Sequence, residues 1–371
     1  MDKSRQPHTT ASRTKPLRVG YVPLVDCAPL VMAKELGLFA RYGIEVALSR
    51  EPGWATIRDK IIFGELEAAH AVPGMPFAVT LGLGSVACDC VSGLVLNLHG
   101  NAITLSHELW SRGVRDARTL REFLDRTRRE RTLTFGVVFP FSTHNFLLRH
   151  WLASADINPD RDVRLAVVPP PQMFSNLRSG NLDGYCVGEP WNSAAVRSRA
   201  GWIAATSLEL APMHPEKVLL ARRKFAEERA DEHIRLIAAL LDACAWCDEP
   251  EHRAQVAATL ARPEYLNTPA ASLEPSLCGP FDFGHGRSGT ARDFHIFHRH
   301  DANEPSLEKA GWILSQLLNA GVVRDPLLLR TPAARRVFRP ETYLAAQKLR
   351  RSPNRHENEK PDTKTALALS A

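Results

Sequence analysis

The chain has 371 residues, 44% hydrophobic and 24% charged, which is the composition of a soluble folded protein and room for two domains. No run approaches the ~20 consecutive apolar residues of a membrane-spanning helix, so no membrane insertion is expected. Lysine plus arginine number 47 against 41 for aspartate plus glutamate, a net charge of +6 gathered mainly at Arg112 to Arg131 and from Lys348 onward. That excess is too thin for a dedicated nucleic-acid binder, and direct nucleic-acid binding is not expected.

Residues 1–16 are polar and basic, with no apolar h-region and no cleavage site, which predicts disorder there and a cytoplasmic location. Leu17 to Val22 reads as a strand and Leu30 to Leu36 as a helix stopped by Gly37. Val46 to Leu48 is the next strand, and Thr56 to Phe63 a helix ended by Gly64. Ala68 to Val72 is a strand and Phe77 to Leu81 a short helix. After Arg112 the rhythm restarts. Leu120, Phe123 and Leu124 mark a basic amphipathic helix, Leu133 to Val138 a strand, and Asn145 to Leu152 a helix. Val163 to Val168, Met173 to Arg178 and Leu182 to Val187 read as strand, helix and strand. Such alternation is that of an α/β protein. Phe63 to Ala69 is echoed by Ser179 to Tyr185, helix end, glycine and strand start in the same order, which suggests two similar lobes. Long helices follow at His233 to Cys247 and Leu307 to Leu318, and residues 351–371 read as a disordered tail.

Enzyme signatures are missing: no nucleophile elbow, no phosphate-binding loop and no zinc-protease helix. The seven cysteines, Cys27, Cys88, Cys90, Cys186, Cys244, Cys247 and Cys278, are odd in number and irregular in spacing, so they form no disulfide framework. Cys244 and Cys247 lie one helical turn apart and read as core, and Cys88 and Cys90 as the buried face of a strand. His295, His298 and His300 lack acidic or thiol partners and read as a polar loop face, so no metal site and no cofactor are expected. A different set lies around strand ends, where open α/β sheets bind ligands: Trp54, Thr143, His144 and Glu189 follow strands, Asn101 sits in a turn between apolar segments, and Lys217 stands just before the apolar run Val218 to Ala221. Together they are able to surround a small anion, although each residue taken singly reads more often as surface or packing than as a ligand contact.

Several segments carry a resemblance. GYVPLVDCAPLVMAKELGLFARYGIEVALSREPGWATIRDKIIFGELEAAH (Gly20 to His70), LNLHGNAITLS (Leu96 to Ser106), FPFSTHNFLLRHWLASADI (Phe139 to Ile157), PPPQMFSNLRSGNLDGYCVGEPWN (Pro169 to Asn192) and HPEKVL (His214 to Leu219) are similar, in order, to nitrate- and bicarbonate-binding proteins of the NrtA/CmpA family. The resemblance spans residues 17 to 350. It implies a two-lobed, type II periplasmic-binding-protein fold with the ligand in the cleft between lobes. Lobe 1 is then expected over residues 17–105, lobe 2 over 106–220, and a return to lobe 1 over 221–350. Carried over by position, nitrate contacts fall on Trp54, Asn101, His144 and Lys217, with backbone contacts from Gly100. Lys217 would supply the charge, His144 a donor, Asn101 an amide and Trp54 an indole wall or N–H. Thr143 and Glu189 would stand behind them, Glu189 pairing with Lys217, orienting His144 or bracing the hinge. Bicarbonate members recruit a metal and acidic groups, and the lysine favours nitrate or nitrite instead.

With a cytoplasmic location expected, the resemblance narrows to nitrate/nitrite sensors of the NasS type. It implies a NasT-like RNA-binding antiterminator as partner, held inactive until nitrate or nitrite releases it. The basic segment Arg112 to Arg131 would offer a partner surface, or simply a solvated helix face. Two other readings compete: a substrate-binding protein of an ABC-type nitrate uptake system, and an enzyme akin to thiamine-pyrimidine synthases, for which no motif stands.

Overall fold

Strand β1 (Leu17–Tyr21) is almost wholly buried, as an interior strand of a sheet covered on both faces must be. It pairs in parallel with β2 (Val46–Arg50) and β3 (Ala68–Ala71). The computed structural model describes residues 15–127, 131–290, 292–323, 325–326 and 331–351. The first sheet also takes in β4 (Cys90–Val91) and β5 (Val95–His99). It is completed by two later strands, β11 (Pro215–Arg222) and β14 (His295–Ile296). The second sheet holds β6 (Asn101–Ser106), β7 (Thr134–Val137), β8 (Arg164–Val167), β9 (Gly184–Gly188) and β10 (Gly201–Thr206), in the order β10-β6-β9-β7-β8. A small hairpin pairs β12 (Phe281–Gly284) with β13 (Arg287–Gly289).

The echo at Gly64 and Gly180 is structural. Both glycines take left-handed φ, 75° and 74°, where a helix ends. The following backbone repeats as well: Glu65 N–H donates to Lys60 O and Asn181 N–H to Asn176 O. The acid three residues after each glycine then folds back onto a neighbouring parallel strand, β1 in one sheet and β7 in the other. Glu67 Oε2 accepts from Arg18 N at 2.7 Å, and Asp183 Oδ2 from Thr134 N at 2.7 Å. Each lobe thus contains an equivalent β-helix-β unit.

The crossings between lobes differ from those expected. The chain leaves the first sheet at Gly100, between β5 and β6, so Asn101 already belongs to the second lobe. It returns after Thr206, because β11 pairs antiparallel with β3 and β5 of the first sheet. Boundaries at 105 and 220 came with the resemblance, and a likeness in short segments does not reveal which sheet each strand of this chain joins. Nor does everything after 221 stay with lobe 1. The β12–β13 hairpin packs on lobe 2, with Phe281 and Phe294 against Ala102, Val196 and Ile203, and Arg287 Nη1 donating to Ile203 O. The long helix Ala230–Asp248 does cover the first sheet, burying Leu236, Ile237, Leu240 and Cys244 against Leu30, Val31, Leu94 and Leu96.

Cys244 and Cys247 are buried, and so is Cys90, but Cys88 precedes the short β4 and is half-exposed. The arginines of helix Ala117–Thr127 are largely tied down: Arg118 to Glu122 at 2.5 Å and Arg121 to Asp125 at 2.6 Å. No described helix is long and apolar enough to cross a membrane. The disorder expected at 1–16 and 351–371 falls outside the described residues, apart from Lys15, Pro16 and Arg351, the last residue of a helix.

Candidate functional site

The cleft is built from strand ends and helix starts of both lobes. Lobe 1 contributes Trp54, the first residue of helix Trp54–Phe63, which enters directly from β2. Its indole is buried, and Nε1 has no hydrogen-bond partner in the protein. Lys217 projects from β11 with its Nζ 5.6 Å from the Trp54 ring centroid. Lobe 2 contributes Asn101, Thr143 and His144, all fully buried. The helix Thr143–Ala153, which begins with Thr143 and His144, is capped by Ser142, whose Oγ accepts from Asn145 N. The Asn101 amide, Thr143 Oγ1 and both His144 ring nitrogens are buried without protein partners. Buried polar atoms are almost always paired. A cluster of unpaired ones from two lobes marks a place built to hold something polar.

Lys217 is not alone there. Its Nζ lies 2.7 Å from Asp26 Oδ2 and 2.7 Å from Glu216 Oε1. Asp26 also meets His70 Nε2 at 2.9 Å, while Glu216 meets His214 Nε2 at 3.1 Å and faces His144 Nε2 at 3.7 Å. Burial raises both carboxyls, yet Lys217 and the neighbouring histidines outweigh it and hold Asp26 and Glu216 well below the usual range. Burial lowers Lys217, but the two carboxylates reverse this and raise it. His144 is pushed down to about 3, chiefly by burial, so it is neutral near pH 7.

The sequence reading put the lysine in the cleft without its acids, and the structure adds them. Strand alternation would send Glu216 and Lys217 to opposite faces. Register irregularities in the β11–β5 pairing, on both sides of Lys217, break that alternation, and both side chains reach the cleft. Asp26 lies in the 3-10 turn Val25–Cys27 after β1, where no periodic signal points to it. His295 is a further correction: with His298 and His300 it read as a polar loop face, but it is fully buried in β14 opposite His99. Its ring packs so closely on Gly100 that a Cβ there would lie 2.5 Å from its atoms. His298 is half-buried and His300 exposed.

Gly100 itself turns the chain between lobes at φ 105°. Glu189 is buried but keeps away from the Lys217 group. Its carboxylate accepts from Ser193 N, and its backbone carbonyl accepts from Val25 N of the other lobe at 2.9 Å. Burial, outweighing these hydrogen bonds, lifts its carboxyl to about 7. Among the described residues no group of three or more histidine, cysteine or acidic side chains is arranged to hold a metal.

A profile of the NMT1-like family matches residues 10–261. The chain is 43% identical over 313 residues to the nitrate import ATP-binding protein NrtC of Synechocystis sp. (strain ATCC 27184 / PCC 6803 / Kazusa), covering 84% of this chain and 47% of that protein. It is 41% identical over 320 residues to the bicarbonate transport ATP-binding protein CmpC of the same organism, covering 84% and 46%. The chain thus spans about half the length of these curated relatives. The crystal structure of the periplasmic nitrate-binding protein NrtA from Synechocystis PCC 6803 matches with a TM-score of 0.85 at 26% identity, over 92% of this chain and 91% of that one.

Proposed function

The chain belongs to the NMT1-like family, is of the NrtA/CmpA type and has the two-lobed periplasmic-binding-protein fold, and from that premise we propose that it binds nitrate or nitrite in the cleft between its lobes. The observation that carries this reading is the set of buried, unpartnered N–H groups of Trp54, Asn101 and His144 converging from both lobes around Lys217. Nitrate is small, planar and weakly basic, so it is held by several donors rather than by one strong ion pair. Lys217 at the site favours nitrate over bicarbonate, although relatives named for each anion are almost equally similar. Titration calorimetry with nitrate, nitrite and bicarbonate, the last with and without calcium, tests it. Calcium-dependent bicarbonate binding with no response to nitrate would sink the assignment.

The finer proposal is a cytoplasmic sensor rather than an enzyme. The anion closes the lobes, and closure releases a NasT-like RNA-binding antiterminator that prefers the open form. The runner-up, a substrate-binding protein of an ABC-type uptake system, draws on the likeness to a periplasmic nitrate-binding protein. Fractionation of cells carrying the native protein separates the two: recovery outside the cytoplasm would favour the transport receptor.

A further inference from the structure

We propose that Glu216 makes the cleft take its anion together with a proton, which is carried by the Glu216–His144 pair. This rests on the nitrate-binding reading above and concerns the charge the site offers. The ammonium of Lys217 is shared between two carboxylates, each 2.7 Å away and at most 1% exposed in its side chain. His214 is engaged as well: its Nδ1 faces Ala211 O at 2.7 Å and its Nε2 faces Glu216 Oε2 at 3.1 Å. His70 is bound to Asp26 in the same way, at 2.9 Å. Every cationic group in the cluster already faces an anion, and none is left over to compensate nitrate.

His144 is the group able to change that. It is fully buried, neither ring nitrogen has a hydrogen-bond partner, and Nε2 looks toward Glu216 Oε1 at 3.7 Å. The charged or titratable groups that act on it are Glu216, Lys217, Asp26 and His214; burial, helped by Lys217 and His214, outweighs Glu216 and Asp26 and keeps it neutral in the free protein. His295, also neutral and buried, feels Asp26, Lys217 and Glu216 from the β14 side. An anion against the His144 ring reverses the balance. The imidazolium then lies between nitrate and Glu216, donating to each, and the ligand arrives as nitrate plus one proton. By linkage, affinity falls as pH rises, since fewer protons are there to be bound with the anion.

Calorimetry on the full chain with sodium nitrate at pH 6, 7 and 8, in two buffers of different ionisation enthalpy, counts the protons. The expected result is about one proton taken up per nitrate and a Kd that weakens about tenfold per pH unit. Glu216→Gln returns a share of the Lys217 charge to the ligand, so it should bind with proton uptake near zero and a flat pH profile. His144→Gln, which keeps a donor, should also lose the uptake and checks the inference if Glu216→Gln fails to fold. Wild-type nitrate binding without proton uptake overturns this inference alone. Absence of nitrate binding at every pH overturns the proposed function as well.

Discussion

Lys217 sits 2.7 Å from both Asp26 and Glu216, and all three are buried, so its removal strands two anions in the core. Breaking a buried ion pair by deleting one partner costs about 3–5 kcal/mol. Lys217→Ala is therefore expected to lose nitrate and to unfold at lower denaturant, which calorimetry and urea titration measure separately. A variant as stable as wild type would show that the acids relax into water. Glu189 gives the opposite sign. Its carboxyl is raised to about 7, so the folded state favours the neutral form. Wild-type stability thus drains away as pH climbs from the ordinary carboxyl range toward 7 and stays low above it. Glu189→Gln keeps an acceptor for Ser193 N and removes the buried charge. It should be more stable than wild type by about 1–3 kcal/mol at pH 8, with most of the gain gone at pH 5; thermal melts at the two values decide.

Between elements, the two lobes come close together at Gly74. Gly74 precedes helix Met75–Thr80 of lobe 1 with an ordinary φ of −75°, and a Cβ there would lie 2.2 Å from Phe141 O in lobe 2. Alanine suits that local conformation, so Gly74→Ala should leave the melting temperature of the ligand-free protein nearly unchanged while holding the lobes apart. Nitrate affinity should fall about tenfold or more, because the penalty belongs to the closed state alone. Small-angle scattering with saturating nitrate would show a wider particle than wild type, and unchanged affinity would mean the lobes do not need this approach. Gly100 differs. Its φ of 105° and its contact with His295 mean that alanine there strains the crossing in any state.

For the whole molecule, closure is where ligand and partner meet. The proposed contacts lie on both lobes, with Trp54 and Lys217 on the first and Asn101 and His144 on the second, so nitrate favours the arrangement that brings them together. A partner that prefers the open form must then weaken nitrate binding by the factor that nitrate weakens its own. On size-exclusion chromatography, a complex with an antiterminator-type RNA-binding protein should come apart when nitrate or nitrite is added. Lys217→Ala, if folded, should keep that complex whatever the nitrate concentration. A wild-type complex that nitrate strengthens would refute the switch and leave only a binding protein.

Sequence alone located several of the elements and the likeness between lobes. Periodicity and glycine stops located β1, β3, β7 and β9 to within a residue or two, since apolar alternation and left-handed caps are local properties. It also brought Trp54, Asn101, His144 and Lys217 forward, because they lie around strand ends in segments that resemble a family. Only the tertiary structure decided which sheet each strand joined, since β6 and β11 are apolar runs whose partners lie far along the chain. It alone showed Asp26, Glu216 and His295 around the lysine. A turn, a broken register and an edge strand brought them there, and none of these leaves a periodic trace. Charge in a buried site depends on neighbours within a few ångströms, and those neighbours are set by packing.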